Sequence, residues 1–137
     1  MKIQNYLAAF AAYSAIFLSS SNASAQSIRQ CRAIEGKIPG YHVMLFESCK
    51  GKTPVERIIN FYGKNKIAPM YIDVEQNFLT GKTKITTYRT GIEPNPSCST
   101  EKPTTKCENE IAIARQTLET ALQTAERGEF HNIRRRK

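Results

Sequence analysis

The residue types able to do chemistry are few and scattered in this chain of 137 residues. Its cysteines are Cys31, Cys49, Cys98 and Cys107, its histidines are His42 and His131, and Asp73 is its single aspartate. A structural metal site draws on Cys and His paired or clustered at short spacing. No such spacing occurs, so the sequence predicts neither a metal nor a cofactor. A reactive thiol needs a depressed pKa and a partner base, and neither histidine lies near a cysteine in sequence. An even cysteine count in a small exported domain points to disulfides instead. Three connectivities are possible. Loop-closure entropy favours near neighbours, which pairs Cys31 with Cys49 and Cys98 with Cys107.

Acid–base catalysis fares no better at this level. A serine or cysteine hydrolase needs a nucleophile, a base within reach and an oxyanion site, and here the serines fall mostly in loops. His42 sits in an apolar run and reads as a satisfied core or edge histidine. His131 lies beyond the last helix beside a basic tail and reads as solvated. Asp73 and Glu75 share one strand face and could form a carboxylate pair, although two acids on a wet strand usually serve solubility. The glycines at Gly36, Gly40 and Gly81 form no phosphate-cradling pattern. No catalytic residue is assigned.

The N-terminus carries the clearest message. Lys2 precedes an apolar stretch from Tyr6 to Leu18, followed by a polar run and then Ala23-Ser24-Ala25. That order reads as a secretory signal peptide over 1–25, too short in its apolar core to span a bilayer as a helix. Of the 20 Lys and Arg only Lys2 would leave with it, and none of the 12 Asp and Glu, so the exported part stays strongly basic. An exported location, periplasmic or extracellular, is the expectation. The basic run Arg134, Arg135, Arg136 and Lys137 closes the chain and is the candidate anion-binding element, for an anionic polymer or a membrane surface. No stacked-aromatic or recognition-helix signature accompanies it, so nucleic acid ranks lower as a partner.

The elements that must position these groups are read from periodicity and punctuation. Thr105 and Glu108 have capping-box spacing, Ile111, Ala114, Leu118, Ala121, Leu122 and Ala125 recur at helical spacing, and Gly128 offers a stop, which predicts a helix over 106–127. Thr53-Pro54-Val55-Glu56 has the same signature and predicts a second helix ending at Gly63. Ser27 to Ile34 is a weaker third. Met70 to Phe78 alternates apolar and polar residues, Thr80-Gly81 supplies a turn, and Thr83 to Arg89 is rich in β-branched residues, which together read as a hairpin. Tyr41 to Ser48 reads as a strand covered on both faces, and Gly91 to Thr105 as a long loop.

The resulting expectation is an α+β fold. It has a small three-stranded, mostly antiparallel sheet, a long C-terminal helix packed on one face, one or two shorter helices, and disulfide staples. Residues 26–128 form a single domain and 129–137 a basic tail. With folding signals intact and no catalytic set, the sequence favours a non-enzymatic binding or accessory protein of a bacterial envelope or secreted space, recognising a protein partner through its sheet edge, loops or basic surface. A small secreted hydrolase, such as a compact nuclease using His42 or His131 with Glu47 or Glu75, is the alternative from another class. An electrostatic binder of anionic envelope polymers or lipids is the third.

Overall fold

The computed structural model describes residues 27–133. The expected signal peptide and the basic run Arg134 to Lys137 lie outside the described residues. Five strands follow one another as an antiparallel meander: β1 (Ile28–Ile38), β2 (Tyr41–Lys50), β3 (Thr53–Gly63), β4 (Tyr71–Asn77) and β5 (Lys82–Tyr88). Two-residue strands close the edges, β6 (Cys98–Ser99) beside β5 and β7 (His131–Asn132) beside β1. The only α-helix among the described residues is α1 (Glu108–Glu126), led by a 3-10 turn at Thr105–Cys107. No helix there is long and apolar enough to cross a membrane.

This corrects the expected architecture. The protein is mostly β, a seven-stranded antiparallel sheet with one long helix, and not a small three-stranded α+β arrangement. The two additional helices are strands. In β3 the apolar residues Val55, Ile58, Ile59 and Tyr62 mimic helical spacing because both faces of the strand carry apolar groups. Ile59 and Phe61 join the cluster on one face, the side to which alternation also sends the buried Val55, while Ile58 and Tyr62 join the cluster on the other. Pro54 opens the strand opposite Cys49, next to a register irregularity, a position where its missing N–H costs little. The run from Ile28 likewise pairs with β2 almost throughout.

Helix α1 covers the near face of the sheet. Ile111, Ala114, Leu118, Ala121 and Ala125 bury their side chains against Ile34, Val43, Leu45, Ile59, Phe61, Val74 and Ile85. Ala114 and Ala121 are fully buried, and their small side chains let the helix approach the strands closely. The expected capping box does not form: Thr105 lies in the 3-10 turn and the helix start has no side-chain cap. Glu108 and Glu110 instead place negative charge in the first turn, favourable to the helix dipole. Gly128 does end the helix, at φ +73 with its N–H donating to Ala125 O.

The packed body continues past that glycine. Phe130 is buried in the main core, its ring against the Cα of Gly36, where an added Cβ would lie 2.2 Å from Phe130 Cδ1. The chain then crosses the β1 edge, and Ile133 joins a second apolar cluster on the far face with Met44, Phe46, Ala33, Ile58 and Tyr62. Both expected disulfides are formed, Cys31 to Cys49 and Cys98 to Cys107, and they fit an oxidising, exported environment.

Candidate functional site

The far face is ruled into rows by the register. One row carries Met44, Asn60, Asp73 and Thr86, and its neighbour carries His42, Tyr62, Tyr71 and Tyr88. The three tyrosines stand side by side with ring centroids 5.0 and 5.5 Å apart. Strand alternation puts Glu75 on the same face two residues from Asp73, opposite Lys84 on β5. These groups open into a cavity of about 270 Å³ lined by Asp73, Glu75, Lys84, Tyr88, Ser99 and Glu101, among others. Its size is slightly below the usual range for small-molecule pockets.

Asn60 is the hinge of this arrangement. It is fully buried, and its Nδ2 donates to Tyr71 OH at 2.7 Å and to Asp73 Oδ1 at 3.0 Å, which leaves its Oδ1 without a partner. Burial, and next the Glu75 carboxylate beside it, push the Asp73 carboxyl well above the ordinary carboxylate range, while Lys84 and the Asn60 amide pull less strongly the other way. Burial also pushes the Tyr62 hydroxyl up to about 12. Lys84 reaches Glu101 at 3.3 Å, on the rim of the cavity.

The raised Asp73 has a measurable consequence. Its folded pKa lies above its unfolded one, so its contribution favours the folded state at acid pH and is lost as pH rises through the folded value. Asp73→Asn keeps the shape, can still accept from Asn60 and donate to Glu75, and has no proton to lose. Urea unfolding as pH rises from about 4, where the unfolded carboxyl ionises, should show a declining contribution to stability in the native protein and a flatter profile in Asp73→Asn. Parallel profiles would mean that Asp73 titrates normally.

The residues singled out in the sequence scatter over both faces. His42 Nε2 lies 3.0 Å from Glu35 Oε1 on the far face, so its partner is neither Glu47 nor Glu75. Glu47 follows the near-face alternation of Val43 and Leu45. There Arg57 donates to it at 3.3 Å and Arg32 lies 3.8 Å away, while Arg57 Nε donates to Gln76. A strand cannot bring His42 and Glu47 together, because they leave opposite sides of it. His131 is exposed on β7. Cys98, Cys107 and Glu110 converge closely, but the two sulfurs are bonded to each other and the carboxylate accepts from Thr87 and Ser97, which suits a structural tie. The sequence did expose Asp73 with Glu75. Asn60 and the tyrosine row it could not expose, because their adjacency needs the register of β3, β4 and β5.

No protein-family model, no curated protein and no solved structure matches this chain.

Proposed function

We propose that this is an exported, non-enzymatic binding protein of the periplasmic or extracellular space that holds a protein partner against the far face of its sheet. The observation that carries the reading is the composition of that face: the part-exposed Tyr62 and Tyr88, set against the buried ring of Tyr71, beside Glu75, Lys84 and the Asp73 that the buried Asn60 holds in place. Tyrosine supplies large contact area with a polar tip and is enriched where proteins bind one another. The sheet edges speak less for recognition. Strand β7 pairs with Ile34 and Glu35 only, and the rest of β1 is defended by charged Arg29, Arg32 and Lys37 and by an irregularity at Gln30/Arg32, devices that discourage strand addition.

Capture from the protein's own exported fraction tests this. A partner held by the native protein should be lost with Tyr88→Ala and with Asp73→Ala, and kept with Ile113→Ala on the outer surface of α1. Equal capture by all three variants would remove the far face from consideration. The Asp73 and Glu75 pair also favours a second reading, acid–base hydrolysis, since a carboxyl raised by burial beside another carboxylate is how a general acid is prepared. Turnover of nucleic acid or cell-wall polymer that disappears in Asp73→Asn would establish that reading in place of the first.

A further inference from the structure

Phe78, Leu79 and Ile113 are the large apolar side chains left exposed among the described residues, and two of them are adjacent at the tip of the β4–β5 hairpin. Leu79 is 74% exposed and Phe78 42%. The tip is held firmly. Asn77 Oδ1 accepts from the backbone N–H of both Leu79 and Thr80, the Gly81 N–H donates to Asn77 O, and Arg57 lies 5.1 Å over the Phe78 ring. Leu79 is therefore presented outward by a fixed turn.

The antiparallel meander brings three segments to this one end of the sheet. Ile28 at the start of β1 pairs with Lys50, Lys50 pairs with Thr53 across the β2–β3 turn, and Phe78 N–H donates to Val55 O. Arg29, Lys50, Lys52 and Lys82 are exposed there. No acidic residue occurs in 28–31, 49–55 or 77–82. The nearest carboxylate along the register, that of Glu56, is half-buried in the row with Asn77 and Lys82, one step behind the turns. An exposed apolar pair on an end of the sheet whose exposed turn residues include cations and no acids is what a membrane-interface contact requires: the side chains enter the acyl boundary while the lysines meet anionic headgroups.

We propose that this end of the sheet, with Phe78 and Leu79 at the β4–β5 tip and Arg29, Lys50, Lys52 and Lys82 spread along it, is a docking surface for an anionic lipid membrane. Each cation contributes modestly and is screened by salt, and the two apolar side chains supply the part that salt does not remove. Attachment is reversible and leaves the far face unobstructed, because the strands run away from the membrane. The inference uses none of Asn60, Tyr62, Tyr71, Asp73, Glu75, Lys84 and Tyr88, so its failure would leave the proposed partner site standing.

Sedimentation of the exported protein with phosphatidylcholine vesicles, with and without phosphatidylglycerol, tests it. Binding should require phosphatidylglycerol, weaken as salt rises, and fall by about tenfold or more in Phe78→Ser with Leu79→Ser. It should be abolished by Lys50→Glu, Lys52→Glu and Lys82→Glu together. Removal of residues 134–137 should leave most of it. Because the chain has no tryptophan, Leu79→Trp gives an independent readout, a blue-shifted emission on phosphatidylglycerol vesicles. No sedimentation, equal binding to neutral vesicles, or binding lost with the tail and unaffected by the tip variants would each overturn the proposal, as would an unshifted Leu79→Trp emission in bound protein.

Discussion

Ending the chain after Gly128 should cost the domain about 3 kcal/mol or more, while ending it after Ile133 should leave stability within about 0.5 kcal/mol of the native value. The first cut removes Phe130, whose ring fills the space above Gly36 in the main core, together with the β7 pairing and the Ile133 contact. Burial of an aromatic ring of this kind is among the largest single contributions a side chain makes. The second removes only Arg134 to Lys137. Urea unfolding of the two truncations and of Phe130→Ala would measure the difference, with Phe130→Ala accounting for most of it. The Gly36 contact gives a sharper check. Gly36→Ala should be strongly destabilising in the native chain, because its new Cβ would collide with the ring, and close to neutral in the Phe130→Ala background, where the space is vacant. If Gly36→Ala costs the same in both backgrounds, the ring is not what the glycine accommodates.

That contact also shows where the sequence ceased to be legible. Helix α1, its stop at Gly128 and the β4–β5 hairpin follow from local pattern, since one face of each meets the core and the other meets water. The signal at Thr53 to Tyr62 misleads for the opposite reason. Strand β3 lies in the middle of the sheet with apolar neighbours on both faces, so two interleaved period-two patterns overlap and imitate a helical one. Its Val, Ile, Phe and Tyr content was the available clue, because β-branched and aromatic residues favour strands. Once β3 is a strand, β1 through β5 join into one sheet, and the expected three strands become a continuous meander. Phe130 and Ile133 stood in the sequence as isolated apolar residues in a polar tail. Only the β7 pairing with β1 reveals that they pin the chain on opposite faces of the sheet.

The candidate site divides in the same way. Asp73 and Glu75 are two apart on one strand, and alternation alone puts them together. Lys84, Tyr88, Tyr71, Tyr62 and Asn60 reach them across three strands, through a register that follows from the turns at Gly63 to Met70 and at Phe78 to Gly81. No local rule counts that register. The membrane-facing end is a similar case: Lys50, Lys52, Phe78, Leu79 and Lys82 read separately as turn residues, and they become a surface only when the meander stacks their turns at one end.

Loss of either disulfide should lower stability by about 2 to 5 kcal/mol, and the Cys98–Cys107 bridge should be the costlier one to lose. Chain entropy alone argues the reverse, since Cys31 and Cys49 are 18 apart in sequence and Cys98 and Cys107 only 9, a difference amounting to about 0.6 kcal/mol. The surroundings outweigh it. Cys31 is exposed at a register irregularity, and its bridge joins two strands already paired along most of their length. Cys98 and Cys107 are both buried in the main core, and they tie the two-residue strand β6 to the start of a helix that has no side-chain cap. With that bridge gone, the Ser97 hydroxyl loses its fixed approach to Glu110, and the buried carboxylate keeps Thr87 at 2.7 Å and the largely exposed Arg89 at 3.5 Å. A buried charge with fewer hydrogen bonds is expensive, which adds to the cavity left by the sulfurs. Denaturant unfolding of Cys31→Ala with Cys49→Ala against Cys98→Ala with Cys107→Ala decides the order. Mass spectrometry without reductant should find no free thiol in the native exported protein. If the Cys31–Cys49 pair proves the costlier by about the entropic margin, loop length governs both bridges, and the packing around Glu110 contributes nothing to holding the helix start.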